Sequence, residues 1–300
     1  MRALIVGCSG QDGHYLREHL VAEGVEVTGV SRREGPNGGL DVADRDAVFA
    51  LVRDLRPDFI FHLAARSTTR HDALFENHAA ISTGTLNVLE AVREHHAEAR
   101  VFLTGSGVQF RNSGAPIGEG DEFEASSPYS VARIHSVYAA RYYRRLGIRT
   151  FVGYLFHHDS PLRGAGHVAS IVASAAARIG AGSTEILEVG DATVEKEWTF
   201  AGDVAAAMWT LVRQDDCTEA VIGSGVARSI RDWLAACFDA VGRDWSKHVR
   251  VKQGFTPEYR RLVSNPTRIR ALGWAPQVGF DELARMMVAA ESARLAQGSR

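Results

Sequence analysis

The sequence predicts an α/β chain: a doubly wound parallel sheet carrying a smaller mixed α/β lobe. Three observations point there. A short apolar run from Arg2 to Val6 enters a glycine-rich turn, Gly7-Cys8-Ser9-Gly10-Gln11-Asp12-Gly13, and then a helix-like stretch from His14. Apolar runs go on alternating with helical patterns through the first half of the chain. The runs are apolar almost without a break, as strands covered on both faces should be.

Taken in order, strands are expected at 3–6, 26–30, 59–63, 100–104 and 149–154, and helices at 14–23, 45–56, 73–95 and 129–146. Beyond that the alternation degrades. Residues 156–195 mix Gly, Pro and His around one small-residue helix at 168–179, and residues 223–300 hold loops, short strands and helices near 229–241 and 281–296. Between them, 198–213 reads as a helix returning to the main unit. The expected division is a cofactor-binding unit of 1–155 with 196–222, and a substrate lobe of 156–195 with 223–300 above the sheet's carboxyl edge.

Composition narrows the classes. The chain has 300 residues, is 45% hydrophobic and 23% charged, and carries a formal net charge of −2, so no basic footprint argues for nucleic acid. No apolar run is long enough to span a bilayer, and the chain enters a strand directly, which predicts no signal peptide and a cytoplasmic location. Cys8, Cys217 and Cys237 form no disulfide framework, and no metal-ligand spacing occurs.

The opening turn is the sharpest motif. Strand, glycine turn and helix together are the context in which a glycine motif binds a dinucleotide. Gly7, Gly10 and Gly13, spaced GxxGxxG, let the backbone turn tightly and let a pyrophosphate approach; Ser9, Gln11 and Asp12 complete the turn. The helix start then offers free N–H groups and a partial positive charge. After the second strand comes Val30-Ser31-Arg32-Arg33, with no acid until Glu34. Guanidinium groups suit the 2′-phosphate of NADP rather than the free ribose of NAD. Asp41 and Val42 are expected beside the adenine; Asp41 serves equally well as a helix cap.

A polar stretch, Thr104-Gly105-Ser106-Gly107-Val108-Gln109, follows the fourth strand, and Ser127-Pro128-Tyr129-Ser130-Val131-Ala132-Arg133 comes later. Tyr129 and Arg133, four apart on a helix, share a face. A cation there favours the phenolate, so Tyr129 can pass a proton to a sugar oxygen while hydride moves to or from nicotinamide. Ser106 is placed to hold the same oxygen.

The chain resembles the extended short-chain dehydrogenases/reductases that act on nucleotide sugars, and within them the GDP-mannose 4,6-dehydratases. The resemblance rests on GCSGQDGHYL at 7–16, VSRR at 30–33, HLAARS at 62–67, GTLNVLEAVR at 84–93, SPYSVAR at 127–133, LFHHDSPLRG at 155–164, EWTFAGDVAAAMW at 197–209 and NPTRIRALGWAP at 265–276. It implies NADP held through Arg32 and Arg33, with Leu63, Ala64, Ala65, Tyr129 and Arg133 also against the cofactor. It implies a nucleotide sugar near Ser67, His157, Arg163, Lys196 and Glu258. By the same analogy a homodimer is expected, through the helices at 83–95 and 129–146, with a tetramer as the alternative.

Departures from the family pattern shape the expected activity. Where the dehydratases carry a Glu that removes the C5 proton, this chain has Val108. Where the family has the lysine of YxxxK, it has Arg133, which keeps the charge and is never deprotonated. His157 replaces an Asn, Lys196 an Arg, and Glu258 lacks the arginine that precedes it in relatives. Three functions therefore stand open: a nucleotide-sugar oxidoreductase working at C4 with Tyr129, Ser106 and NADP(H); a 4,6-dehydratase or epimerase whose acid/base is relocated to a group such as His157 or Asp159; and an NADP-binding scaffold with little turnover.

Overall fold

The computed structural model describes residues 1–32, 39–252 and 254–298. Its centre is a parallel sheet. β1 (Arg2–Val6), β2 (Glu26–Val30), β3 (Phe59–His62), β4 (Arg100–Ser106), β5 (Arg149–Leu155) and a sixth strand, Glu219–Ile222, lie in the order sixth, β5, β4, β3, β1, β2. Successive residues of each strand point to opposite faces. Leu4, Val6, Ile60, Val101 and Leu103 enter one apolar core with helices Arg45–Leu55, Gly84–His95 and Pro128–Arg145. Ala3, Ile5, Phe59, Phe61 and Phe102 enter the other, with α1 (Gln11–Ala22) and helix Ala201–Val212. Burial on both faces is why the strands read as unbroken apolar runs.

The chain leaves β1 to one side for β2 and returns on the other side for β3, so the order reverses between β1 and β3. A crevice opens at the carboxyl ends of strands at such a reversal. The smaller lobe stands above it. Helices Val168–Gly180, Ile230–Asp239 and Phe280–Gly298 enclose a third core, in which Trp198 stacks on Trp233 with centroids 4.4 Å apart and planes 7° from parallel.

Several elements differ from expectation. α1 starts at Gln11 rather than His14, because Gly10 in extended backbone is already the N-cap. The expected helix at 73–95 is interrupted: Leu74–Asn77 is followed by a π-helical turn, His78–Thr83, before Gly84–His95. Gly84 packs where a Cβ would come within 2.7 Å of Val42 Cγ1 and 3.2 Å of His62 Nε2, so this face presses directly on the sheet. The expected helix at 198–213 begins only at Ala201. Trp198 donates its indole N–H to the Arg228 carbonyl at 3.0 Å, and Thr199–Phe200 pairs with His158–Asp159. The sixth strand lies outside the expected set. It is short and opens with a carboxylate, and that carboxylate is matched by Arg141, Arg144 and Tyr154 on neighbouring elements.

Candidate active site

The glycine turn closes β1 onto α1. Gly7 has φ +96, and a Cβ there would lie 2.7 Å from the Ala64 nitrogen; one on Gly13 would lie 2.6 Å from Cys8 Cα. Both positions therefore exclude a side chain. Around Gly10 there is room, since the nearest atom to a Cβ would be the Gly7 carbonyl at 3.6 Å. The first-turn N–H groups of α1 have no intrahelical partner, so this open spot is suited to an anion.

A cavity of about 730 Å³ opens there, lined by Gly7, Ser9, Gly10, Gln11, Asp12, Gly13, Arg32, Asp41, Val42, Leu63, Ala64 and Ala65. Arg33 lies outside the described residues. Asp41 is not the helix cap: its carboxylate accepts from Ala43 N at 3.0 Å, whereas Asp44 caps helix Arg45–Leu55 by accepting from Ala47 N at 3.1 Å.

A second cavity of about 670 Å³ adjoins the first, sharing Asp12, Leu63, Ser67, Arg163, Gly164 and His167 with it. Ser106, Val108, Tyr129, Arg133, His157, Lys196 and Glu258 line this one. The expected cofactor and substrate groups thus meet in one trough at the switch point of the sheet.

Each side chain has a physical reason to be there. Ser106 ends β4 and caps the short turn Gly107–Gln109. Gln109 is buried, its Oε1 accepting from Ser106 N at 2.7 Å, so it shapes the strand end. Helix Pro128–Arg145 starts on Ser127, whose Oγ accepts from Ser130 N at 3.1 Å, with Pro128 in the first turn. This sets Tyr129 and Arg133 on one face, the guanidinium carbon 5.0 Å from the phenol centroid. Arg133 is buried and also donates to the Thr104 carbonyl at 2.7 Å and to the Thr104 hydroxyl; its Nε has no partner. One prong of the guanidinium is therefore spent on β4. Burial and the Arg133 charge together take nearby His62 down to about 4.

The loop after β5 carries a charge cluster. His157 Nε2 lies 2.7 Å from Asp159 Oδ2, and Arg163 Nε lies 3.3 Å from Asp159 Oδ1. Asp159 is fully buried; burial alone would raise its carboxyl, but His157 and Arg163 hold it well below the ordinary range. Burial takes His157 down to about 3, Asp159 opposing and Lys196 and Arg163 adding to it. Lys196, buried with Nζ 4.6 Å from the Trp198 centroid, is lowered by burial to about 8. Glu258 sits at the rim, accepting from Thr69 Oγ1 at 3.2 Å.

Gln11 and Asp12 have a second engagement. Gln11 accepts from Ser160 Oγ at 2.9 Å, and Asp12 Oδ1 lies 2.9 Å from His158 Nε2. His167 and Tyr259 line the second cavity and are not marked out by local sequence patterns; Asp159, offered by the sequence as an acid/base, is fully buried and lines neither cavity. His167 precedes helix Val168–Gly180 and accepts from Arg163 Nη2 at 3.0 Å; Tyr259 lines the second cavity beside Glu258. Among the described residues no group of three or more His, Cys, Asp or Glu side chains is arranged to hold a metal, and no helix is long and apolar enough to cross a membrane.

A Rossmann-type sheet, a glycine turn at its switch point and a Ser–Tyr pair facing the adjoining cavity define a nucleotide-sugar short-chain dehydrogenase/reductase, a class of NAD(P)-dependent enzymes. The family model described as GDP-mannose 4,6 dehydratase matches residues 38–287, and the chain belongs to that family. The GDP-mannose 4,6 dehydratase 1 of Arabidopsis thaliana is 30% identical over 95% of this chain and 88% of its own length. The human GDP-mannose 4,6 dehydratase is 27% identical over 96% of this chain and 91% of its own. The structure of RMD from Pseudomonas aeruginosa, solved with NADPH, superposes with a TM-score of 0.85 at 23% identity, covering 98% of this chain and 99% of that one.

Proposed function

We propose that this chain is an NADP(H)-dependent reductase acting on a 4-keto sugar carried on a nucleoside diphosphate, with guanosine the favoured base. The carrying observation is the set of carboxylates around the sugar cavity. They are Asp12, held by His158, and Glu258, bonded to Thr69 at the rim; the position two after Ser106 is Val108. Elimination across C5–C6 needs a base beside C5. Carbonyl reduction needs only a hydride, a proton donor and a hydroxyl to orient the oxygen.

NADPH supplies the hydride when bound in the first cavity. Arg32, together with Arg33, is suited to its 2′-phosphate, and the start of α1 to its pyrophosphate. Tyr129 gives its phenolic proton to the C4 oxygen as negative charge develops there, and Ser106 donates a hydrogen bond to the same oxygen. Arg133 stabilises the phenolate left behind. In this reading Arg163 and Lys196 take the sugar nucleotide's diphosphate, Ser67 and His157 the sugar, and Glu258 a ribose.

The test is to mix the protein with GDP-4-keto-6-deoxymannose and NADPH, and separately with GDP-mannose. NADPH consumption with the keto sugar only supports reduction. A 4-keto product from GDP-mannose with no net cofactor change would overturn it in favour of dehydration, and tight NADP binding with no product in either reaction would point to a scaffold. Tyr129→Phe is expected to lower turnover by about two to four orders of magnitude while leaving NADP affinity within a few-fold.

The exposed side chains on helix Pro128–Arg145 support a homodimer. Val131, Tyr138 and Tyr142 are more than half exposed there, with Leu86 exposed on helix Gly84–His95. Light scattering on the purified protein reads this directly, a monomer being the result against it.

A further inference from the structure

We propose that the keto sugar taken by this site carries at C5 a hydroxylated carbon arm longer than a methyl group, and that a third cavity beside Val108 receives it. This rests on the keto-sugar reading above and names the class of sugar within it.

The third cavity, of about 520 Å³, adjoins the sugar cavity and shares Val108, Glu258, Tyr259 and Leu262 with it. Pockets for small molecules run from about 300 to 1,000 Å³, so this one is far larger than a methyl group needs. Its walls are tied together. Phe110 packs edge-on against Phe123 with centroids 5.0 Å apart, and Glu124 N donates to the Gln109 carbonyl at 2.8 Å. Asn112 Nδ2 donates to the Arg261 carbonyl at 2.8 Å, and Ile117 N to the Val263 carbonyl at 2.9 Å. The cavity is therefore preformed between segments 109–126 and 258–264.

The reading above fixes the sugar ring at two points. Ser106 and Tyr129 hold the C4 oxygen, and the diphosphate leaves C1 toward Arg163 and Lys196. C1 and C4 are opposite corners of a pyranose, so one of its two long edges faces the third cavity. The opening on that side is apolar, formed by Val108 and Leu262. Of the two carbons beside C4, C3 bears a hydroxyl and C5 bears a carbon. An apolar opening suits the carbon, because a hydroxyl passing it would lose hydrogen bonds to water without replacement.

The far wall says what the arm carries. Arg260 is paired with Asp191, and Arg261 with Glu195 at 3.4 Å, so both cations are already engaged. The Ser113 and Ser126 hydroxyls and the Glu124 carboxylate line the same cavity and have no protein partner among the described residues. A carboxylate accepts hydrogen bonds, and a serine both donates and accepts. That set matches a neutral hydroxylated arm. An arm ending in a carboxylate or phosphate would meet Glu124 and Glu258 with like charge.

The experiment compares two probes with NADPH: GDP-4-keto-6-deoxymannose, whose C5 bears a methyl group, and its seven-carbon homologue bearing a hydroxyethyl group there. The homologue is expected to have a kcat/KM at least about tenfold higher, mostly through KM. Ser126→Trp and Ser113→Trp fill the cavity from its two separate segments, outside the catalytic groups. Each is expected to cost the homologue about tenfold in kcat/KM while the methyl sugar stays within about twofold, which also shows that the variant is folded and active. Equal kcat/KM for the two sugars, or a preference that survives in both variants, overturns the inference; NADPH oxidation by both sugars without preference does so and leaves the reductase reading in place. Calorimetry on NADP⁺-loaded protein separates the reverse case: tighter binding of the homologue, with NADPH oxidised by neither sugar, removes the reductase reading and upholds the arm site.

Discussion

The His158 imidazole and the Asp12 carboxylate, 2.9 Å apart, tie the cofactor turn to the loop that carries His157 and Asp159. Ser160 adds a second tie by donating to Gln11 at 2.9 Å. Residues nearly 150 positions apart thereby set the relative placement of the cofactor and substrate cavities. In both partners burial opposes charge, yet the pair wins: Asp12 is held below the ordinary carboxylate value and His158 above the ordinary imidazole value.

From that pair follows a pH-dependent stability. A raised histidine contributes fully below its unfolded pKa of about 6.5 and loses the contribution as pH rises through its folded value. A lowered aspartate loses its share as pH falls through its own folded value. Asp12→Asn is therefore expected to cost about 1–2 kcal/mol near pH 5.5. The gap in melting temperature between variant and wild type should narrow as the pH is raised past the His158 transition. A gap independent of pH would count against the ion pair.

Arg32 lines the cofactor cavity beyond β2. Replacing Arg32 and Arg33 together by Ala is expected to weaken NADPH roughly ten- to hundredfold, the worth of charge-assisted phosphate contacts, with NADH affected only a few-fold. Calorimetry with both cofactors reads the ratio. Equal losses would mean that neither arginine meets the 2′-phosphate.

Arg133 does two jobs at once, standing 5.0 Å from the Tyr129 ring and donating to the Thr104 carbonyl at 2.7 Å. Arg133→Met removes the charge and leaves Thr104 without its donor, so reduction should fall by about a hundredfold or more. Arg133→Lys keeps a cation that reaches one of the two sites, and about tenfold of the rate should be lost. Steady-state kinetics on the two variants separates them; equal losses would show that charge is not what matters at this position.

Glu219 anchors the sixth strand by accepting from Arg141 at 2.7 Å, Arg144 at 2.7 Å and Tyr154 at 2.6 Å. Burial raises its pKa, but Arg141, Tyr154 and Arg144 together bring it down to about 2. Glu219→Gln should destabilise the fold by about 3 kcal/mol at neutral pH, because it leaves two arginines without their anion. The wild-type advantage is complete above the ordinary carboxylate pKa of 4.5 and disappears as the pH falls toward about 2. Denaturant midpoints of the two proteins at pH 7 and pH 3 measure it.

Local chemistry was legible in the residues themselves. The apolar runs of β1 to β5 declared a sheet buried on both faces. The glycine turn declared its own backbone, since Gly7 and Gly13 have no room for a side chain. The helix expected at 129–146 appears as Pro128–Arg145, because its Ser127 cap and first-turn proline are satisfied by near neighbours alone. These features depend on residues a few positions apart, so a linear reading captures them.

Tertiary structure decided what depends on distant partners. Trp198 reads as helical by its neighbours, yet it is drawn out of the helix by stacking on Trp233. Asp159 reads as a candidate acid/base, and only the fold shows it fully buried between His157 and Arg163, outside the lining of the sugar cavity. Arg133 reads as a partner of Tyr129, and only the fold directs its second contact to Thr104. The sequence by itself determined five of the six strands of the sheet, the cofactor turn and the residue types available for chemistry. The fold decided which of them face one another, because burial and charge pairing act through space and are nearly blind to separation along the chain.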